Sequence, residues 1–287
     1  MLNIRRSEGM EFTKMQGCGN DYIYFNCMEQ ELSEPGPLSV RLSDRHFGIG
    51  GDGIVLICRS DIADAKMRMF NADGSEGKMC GNAIRCVGKY LSDNGLVGDK
   101  NELDIETLSG VKHLVLHKQR SGVRSVTVDM GPAQMHPSSL PVLIEGTQVV
   151  NSPVKIGGTS YNITCVSMGN PHCVVLCDDV EGLEIEKIGP QFENSELFPE
   201  RVNTEFIKLT GKNTLRMRVW ERGSGETWAC GTGACAAAVA AVENGLCAKG
   251  EDIIVRLNGG NLLIKYTDKT VTMTGTADKV FDGTIKL

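Results

Sequence analysis

The sequence predicts an α+β protein of two similar domains, each a curved mixed or antiparallel sheet wrapped around a central helix. Three observations predict this fold. The chain repeats itself, because Lys66–Leu96 aligns without a gap with Arg216–Leu246. Each copy contains one clear helical segment, and short β-branched runs typical of strands surround it. A pseudo-twofold arrangement of the two domains follows from the repeat, and a functional site is expected in the cleft between them.

The repeat keeps one spacing along the chain. That spacing is 150 residues at both ends of the aligned segments, since 216 − 66 and 246 − 96 agree, and it also pairs Gly19-Asn20 with Gly169-Asn170. Eight of the 31 aligned positions are identical, against roughly two expected from ordinary residue usage. Coincidence would not keep one spacing over separate windows, so we infer two copies of one structural unit.

The helix of the first half is predicted from its periodicity and its stop signal. Asn82–Asp93 places Ile84, Val87 and Leu91 on one face, and Gly95 follows as a C-terminal stop.

The helix of the second half, Thr232–Glu243, is almost wholly alanine and other small residues, with Gly245 as its stop. A helix that is small and apolar all round is expected to be enclosed on all sides. The strand-like runs around the two helices include "GIVLIC", "KMRMF", "VKHLVLH" and "VRSVTVDM", then "YNITCVS", "CVVLC", "TEFIKL", "LRMRVW", "DIIVRL" and "NLLIKY".

Composition and charge exclude several classes of protein. The 287-residue chain is 41% hydrophobic and 23% charged, with a net charge of −6. An acidic balance does not indicate a nucleic-acid partner, and no apolar run approaches the roughly 18 residues of a membrane span. Eleven cysteines without a secretory signal predict free thiols in a reducing, cytoplasmic location. Residues 1–9 are expected to be a flexible extension, with Met10 an alternative start to Met1.

Two cysteines stand apart from the others, because each lies where a predicted helix begins. Cys80 and Cys230 are both followed by glycine, which lets a ligand approach the backbone. The free N–H groups of a helix start form an anion site, and the same field is expected to lower a thiol pKa towards neutrality. One Cys-Gly pair alone would be read as structural, or as part of a regulatory disulfide. Its duplication at two helix starts favours catalysis.

Two thiols facing each other across one ligand suit the inversion of a carbon stereocentre. One group removes a proton from one face of the carbon, and the other delivers a proton to the opposite face. An amino-acid carboxylate lying across both helix starts gains negative charge as the proton leaves, and the N–H groups stabilise that charge. This chemistry needs no cofactor and no metal. The sequence contains no C-x-x-C and no zinc-ligand spacing.

At these residues the chain resembles the diaminopimelate epimerases, over nearly its whole length from Lys14 onward. The segments that carry the resemblance are "KMQGCGNDY", "RHFGIGGDG", "FNADGSEGKMCGN", "SMGNPH", "FPERVN", "WERGSGETWACGTGACA" and "FDGTIKL". The resemblance implies cofactor-independent interconversion of LL- and meso-2,6-diaminopimelate, in lysine and peptidoglycan-precursor synthesis, by a homodimeric enzyme. It also implies that the last strand returns to the first domain. The first half is then residues 10–129 with 276–287, and the second is residues 130–275.

The resemblance assigns a role to each matching residue. Cys80 and Cys230 are the acid and base pair, exchanging roles with the direction of the reaction. The residues implied in substrate binding are Asn20, Asn71, Gly81, Asn82, Asn170, Asn203, Glu221, Arg222, Gly231 and Thr232. Arginine can grip a carboxylate in a fork, and glutamate can pair with an ammonium, as the distal end of diaminopimelate requires. His172 either orders the site or fills a turn.

This chain departs from the family pattern at two positions. Gly53 stands where many members carry glutamine, and Cys18 stands where leucine is common. A side-chain contact from the first position is therefore lost or supplied elsewhere, and the second adds a thiol near the site.

Two alternatives remain open from the sequence. The same cysteine pair could racemise or epimerise another amino acid, such as proline or hydroxyproline. The chain could instead be a thiol-redox or metal-binding protein without this activity.

Overall fold

The computed structural model describes residues 9–286 and, within them, eighteen β-strands and four α-helices. The extension expected over residues 1–9 therefore lies, apart from Gly9, outside the described residues. By its internal contacts the chain divides into two units. The first runs to Val126 and resumes at Thr276, and the second is Thr127–Gly275.

The first unit is a mixed sheet with two helices. Its elements are β1 (Met10–Gly17), β2 (Asn20–Cys27), α1 (Pro35–Ser43), β3 (Gly53–Cys58), β4 (Ala65–Asn71), β5 (Glu76–Gly77), α2 (Gly81–Asp93), β6 (Glu102–Thr107), β7 (Gly110–Gln119), the first half of β8 (Gly122–Gly131) and, at the end of the chain, β18 (Asp278–Ile285). β1 lies between β2 and β18 and is antiparallel to both. The last strand thus returns to the first unit, as the resemblance implies.

The second unit repeats this design. Its elements are a short 3₁₀ turn (Pro137–Ser139), β9 (Ser152–Ile156), β10 (Thr159–Ser167), β11 (Pro171–Leu176), α3 (Ile185–Glu193), β12 (Asn203–Gly211), β13 (Thr214–Glu221), β14 (Gly225–Thr227), α4 (Gly231–Glu243), β15 (Asp252–Arg256), β16 (Asn261–Tyr266) and β17 (Val271–Thr276). The pair β11/β12 is parallel, as is β2/β3 in the first unit. The pairs β13/β15 and β4/β6 are parallel as well. The predicted α+β fold of two similar halves is confirmed.

The central helices α2 and α4 are enclosed by strands of their own unit. α2 packs against β1, β2 and β7, and α4 packs against strands from β10 to β16. Every residue of α4 from Ala234 to Ala241 is completely buried. Its alanines let the strands come close on all sides, so that small size rather than amphipathicity suits this helix to its place.

The sequence did not predict α1 or α3. α1 begins at a proline and contains another, Pro37, and its N-cap residue Glu34 takes a left-handed backbone with φ of 48°. α3 contains Pro190 in its interior, where proline normally ends a helix. Both helices lie outside the repeated segments, where composition reads as a loop. None of the helices within residues 9–286 is long and apolar enough to cross a membrane.

We predict that Ala237→Leu destabilises the protein by about 1–3 kcal/mol, because the added carbons have no space inside the second unit. The change is measured as the free energy of unfolding in urea. Ala248→Leu, at an exposed position after α4, is the control and should leave the free energy of unfolding within about 0.5 kcal/mol. Equal effects of the two substitutions would show that α4 is not tightly enclosed.

Candidate active site

Each of the two predicted cysteines is the N-cap residue of a central helix. Cys80 precedes α2 with an extended backbone, and its Sγ accepts the Ala83 N–H at 3.5 Å. Cys230 precedes α4 in the same conformation, and its Sγ accepts the Gly233 N–H at 3.3 Å. Each sulfur therefore lies at the positive end of a helix dipole, where an anion is stabilised.

The first turns of both helices contain the glycines that the resemblance points to. Gly81 and Gly231 are the first helical residues, and both are buried. Asn82 and Thr232 follow them. The backbone of these first turns is the anion-binding surface that a helix start presents.

Cys80 is held by a polar network at the beginning of β2. Its thiol donates to Asn20 Oδ1 at 3.4 Å, and Asn20 Nδ2 donates to Asp52 Oδ2 at 2.7 Å. Arg45 forms ion pairs with both Asp52 and Asp21, at 3.1 and 2.7 Å. Asn20 is thus fixed between the catalytic candidate and a charged cluster. Although burial opposes it, hydrogen bonds from Arg45 and Lys14 lower the pKa of Asp21.

The first turn of α2 rests on Arg85, whose side chain is completely buried. Its guanidinium donates to Gly81 O and to Asn82 Oδ1, each at 3.0 Å, and to Thr276 O at 3.2 Å. Sequence reasoning missed this residue, since an arginine within an amphipathic helix reads as solvent-exposed. The Asn82 side chain, which is predicted to bind substrate, accepts a hydrogen bond from Arg85 here.

Asn71 also has partners within the protein. It ends β4, and its Nδ2 donates to Ser75 Oγ at 3.0 Å across the turn to β5. Its backbone N–H bonds to Ser75 O at 2.9 Å. These contacts fit a turn residue, and its predicted role in substrate binding stays a prediction.

Cys230 lies in a different environment from Cys80, since its thiol is buried among carboxylates. Burial raises the pKa of Cys230 well above its ordinary value, and Glu221 and Glu205 raise it further. Hydrogen bonds to Thr232 and from the Gly233 N–H offset this only in part. The expectation that the helix start brings this thiol pKa towards neutrality is therefore wrong for Cys230, because desolvation outweighs the dipole.

Glu221 ends β13 beside Cys230. Thr227 Oγ1 donates to its carboxylate at 2.5 Å. Burial raises the pKa of Glu221, against the hydrogen bonds from Thr227 and Cys230. A cationic group bound at this carboxylate would remove much of the negative potential that acts on the thiol.

A chain of hydrogen bonds connects a buried carboxylate with Cys230. His172 is completely buried, with Nδ1 2.7 Å from Glu205 Oε1 and Nε2 3.0 Å from Asn170 Oδ1. Asn170 Nδ2 donates to Thr232 Oγ1 at 3.4 Å, and this hydroxyl lies 3.5 Å from the Cys230 sulfur. His172 therefore orders the site, rather than filling a turn.

Glu205 is the second functional residue that sequence reasoning missed. It lies two positions after Asn203 in β12, so both side chains point to the same face of the sheet. Its carboxylate is completely buried, and Oε2 has no hydrogen-bond partner. A Cβ at Gly233 would lie only 2.6 Å from Oε1, so glycine is needed where α4 passes over this carboxylate. The sequence gives little signal for it, because Glu205 follows Asn203 and Thr204 and reads as a polar strand residue.

The side chain of Asn203 contacts the backbone of Arg222. Asn203 Oδ1 accepts the Arg222 N–H at 3.0 Å, and Asn203 Nδ2 donates to Pro171 O at 2.8 Å. The Arg222 guanidinium donates to Glu200 O at 2.9 Å. Asn203 thus fixes the end of β13, where Glu221 and Arg222 lie.

The two departures from the family pattern have structural counterparts. A Cβ at Gly53 would lie 2.0 Å from Phe70 O, so the backbone of β4 takes the space of a side chain there. Cys18 is buried in the turn between β1 and β2, and its Sγ lies 3.7 Å from Arg85 Nη2. Burial raises the pKa of Cys18, and the Arg85 guanidinium opposes this rise.

Solved structures share this fold at low sequence identity. A Bacillus anthracis phenazine biosynthesis protein of the PhzF family aligns with a TM-score of 0.69 and 16% identity, over 98% of this chain and 100% of that one. A hydroxyproline epimerase from Agrobacterium vitis, with trans-4-hydroxy-L-proline bound, aligns with a TM-score of 0.68 and 15% identity, over 97% and 91%. The chain thus has the two-part α+β fold of this class of proteins.

Sequence comparison gives the family. The family profile described as diaminopimelate epimerase matches residues 12–136 and 164–280. The diaminopimelate epimerase of Agathobacter rectalis is 50% identical over 289 residues, covering 97% of this chain and 100% of the relative. That of Acetivibrio thermocellus is 51% identical over 280 residues, covering 97% and 99%. The chain belongs to the diaminopimelate epimerase family.

We predict that Glu221→Gln accelerates alkylation of Cys230 by iodoacetamide at pH 8. Loss of the carboxylate charge lowers the thiol pKa, so a larger fraction of Cys230 is thiolate at that pH. The rate is followed by mass spectrometry of the peptide that contains Cys230. Glu226→Gln is the control, because Glu226 is paired with Arg218 at 2.7 Å and should leave the rate unchanged. A slower reaction in the Glu221 variant would contradict the electrostatic account.

We also predict that Gly233→Ala destabilises the fold by about 1–3 kcal/mol, although alanine is the better helix former. The added Cβ meets the Glu205 carboxylate and lies 3.2 Å from the Cys230 sulfur. Urea unfolding measures the change. Gly211→Ala is the control, because its Cβ would find no atom closer than 3.9 Å. Stabilisation by Gly233→Ala would show that the carboxylate can move aside.

Proposed function

We propose that this chain epimerises LL-2,6-diaminopimelate to meso-2,6-diaminopimelate, without a cofactor, in lysine and peptidoglycan-precursor synthesis. The observation that carries the proposal is membership of the diaminopimelate epimerase family, with about half of all residues shared with relatives over nearly the whole chain. The protein is then an isomerase. The cysteine at the start of each central helix supports the same conclusion.

In the proposed mechanism one cysteine removes the α-proton and the other protonates the opposite face of the carbon. Cys230 is the proton donor of the resting form, because burial and two carboxylates keep its thiol protonated. Cys80 then acts as the base, and the roles are exchanged after turnover. The proposal requires the two helix starts to meet at one substrate, with residues 10–129 and 276–287 as one epimerase half and residues 130–275 as the other.

The first turns of α2 and α4 bind the carboxylate next to the reacting carbon. Negative charge develops on this carboxylate as the proton leaves, and backbone N–H groups that are already oriented stabilise it. Gly81 and Gly231 let the substrate carboxylate approach the backbone closely. Arg85 supports the first turn of α2 through its hydrogen bond to Gly81 O. Asn82 and Thr232 complete the two turns.

Glu221 and Arg222 give the site its preference for a substrate with a second zwitterionic end. A substrate ammonium at Glu221 neutralises the carboxylate that raises the Cys230 pKa. Binding of the correct substrate thereby lowers this pKa and readies the thiol for proton exchange. Arg222 takes the distal carboxylate, and Asn20, Asn71, Asn170 and Asn203 orient the two groups. An amino acid without the second ammonium leaves the buried carboxylate unpaired, which such a site rejects strongly.

Two further proposals concern the protein in the cell. The enzyme is proposed to be cytoplasmic, in keeping with eleven cysteines of which none forms a disulfide within residues 9–286, and to act as a homodimer on a small-molecule substrate. Light scattering during gel filtration tests the dimer, with a mass near 62 kDa expected from two chains of 31.1 kDa. A mass of one chain would contradict it.

The deciding experiment is proton NMR of the purified protein with LL-diaminopimelate in D₂O, with no cofactor added. We expect loss of one α-proton signal by exchange with deuterium and accumulation of the meso isomer. No exchange under reducing conditions, together with exchange of proline in the same assay, would replace the proposed substrate with another amino acid. No exchange with either substrate would overturn the enzymatic proposal.

We predict that Cys80→Ala and Cys230→Ala each reduce the NMR exchange rate by at least about a thousandfold, because each removes an acid–base group. The urea midpoint should change little in both variants. Cys86→Ala is the matched control, since Cys86 is completely buried in α2 and should cost about 1 kcal/mol of packing with activity retained. Similar losses of activity in all three variants would contradict the two-base assignment.

A further inference from the structure

A second pair of cysteines lies away from Cys80 and Cys230, at the ends of two neighbouring strands. Cys27 ends β2 and Cys58 ends β3, and the two are partners in the parallel register. Both line a surface cavity of about 580 Å³. Three cations, Arg59, Lys66 and Arg68, and two carboxylates, Glu29 and Glu31, line the same cavity, so it is polar and accessible to small polar molecules.

The positions of Cys27 and Cys58 suit a disulfide. Neighbouring strands run roughly 4.8 Å apart, which falls within the Cα separations of about 4.4–6.8 Å that disulfides span. The two thiols already contact each other through a hydrogen bond. Both residues end their strands, where the backbone is freer to adjust than in the middle of the sheet.

The two thiols differ in chemistry. The hydrogen bond from Cys27 lowers the pKa of Cys58, and Arg68 and Lys66 lower it further against burial and Glu31. The pKa of Cys27 is raised, by its hydrogen bond with Cys58 and by burial. The pair therefore combines one thiol that ionises readily with a protonated neighbour, as nucleophilic and resolving cysteines require.

We propose that Cys27 and Cys58 form a peroxide-reactive dithiol, a modification site independent of the epimerase chemistry. The Cys58 thiolate attacks one oxygen of hydrogen peroxide, the O–O bond breaks, and hydroxide leaves, so that Cys58 becomes a sulfenic acid. The Cys27 sulfur then attacks the Cys58 sulfur. An S–S bond forms, and the sulfenic hydroxyl leaves as water with the Cys27 proton. Two electrons pass from the sulfurs to the peroxide, which is reduced to water.

The chain contains its own control. Cys165 and Cys173 are register partners on β10 and β11 and are in contact, as Cys27 and Cys58 are. Their side chains are 1% and 0% exposed, and burial raises the pKa of Cys173. Proximity is therefore the same in the two pairs, while access and positive charge differ. Only the first pair should react in the folded protein.

The test treats the reduced native protein with hydrogen peroxide, blocks free thiols and maps disulfides by mass spectrometry of a non-reduced tryptic digest. Cleavage after lysine and arginine places Cys27 in the peptide Met15–Arg41 and Cys58 in His46–Arg59. Fragmentation of the linked peptides distinguishes Cys27 from Cys18. We expect this link to form first, while Cys165 and Cys173 stay reduced.

Four variants sharpen the test. Cys27→Ser should stop at a Cys58 sulfenic acid, which dimedone labels, and Cys58→Ser should give neither link nor label. Arg68→Gln should slow formation of the link several-fold, while Arg68→Lys keeps the charge and most of the rate. Absence of the link at peroxide doses that oxidise Cys80 or Cys230 would overturn the proposal. Equal oxidation of Cys165 and Cys173 would also overturn it, because access and charge would then not select the pair.

Discussion

The position of each catalytic candidate depends on one constraint, the enclosure of a helix by the strands of its own unit. A cysteine at the N-cap of an exposed helix would move with a fraying end. Here strands pack around each helix and its side chains are buried, so that a shift of the helix would disturb the close packing of its unit. The first turn is thereby held as rigidly as the sheet. That rigidity is what a site needs if backbone N–H groups are to stabilise a developing charge.

The N-cap cysteines of α2 and α4 have the same backbone conformation, but the charged groups around the two thiols differ. The buried guanidinium of Arg85 donates to the first turn of α2. The Asn20 amide lies beside Cys80 and is hydrogen-bonded to Asp52. Beside Cys230 lie Glu221 and Glu205 instead, and both carboxylates raise the pKa of its thiol. Duplication of one unit has thus placed two thiols at equivalent helix starts in different electrostatic surroundings.

The sequence predicted those features that depend on neighbours along the chain. The spacing of 150 residues and the glycine stops located α2 and α4 to within one residue at their starts. Features that depend on residues distant in the sequence were missed, or, for the pKa shift of Cys230, were predicted in the wrong direction. The helix dipole at Cys230 can be read from the sequence, but the two carboxylates that outweigh it come from other strands. Glu205 reads as a surface residue of β12 until α4 is placed over it. For α1 and α3, local prolines argue against helices that the surrounding packing nevertheless stabilises.

The contact between Gly233 and Glu205 constrains how this family can change. A Cβ at position 233 would lie 2.6 Å from Glu205 Oε1 and 3.2 Å from the Cys230 sulfur, so a side chain there requires the glutamate to shift or to be replaced by a shorter residue. A shorter residue at 205 in turn leaves His172 without the carboxylate 2.7 Å from its ring. Substitutions here are therefore epistatic, and their order matters: unless the glutamate shifts, a lineage that loses the glycine must first lose the acid. Such a contact is expected to leave covariation between positions 205 and 233 among homologues.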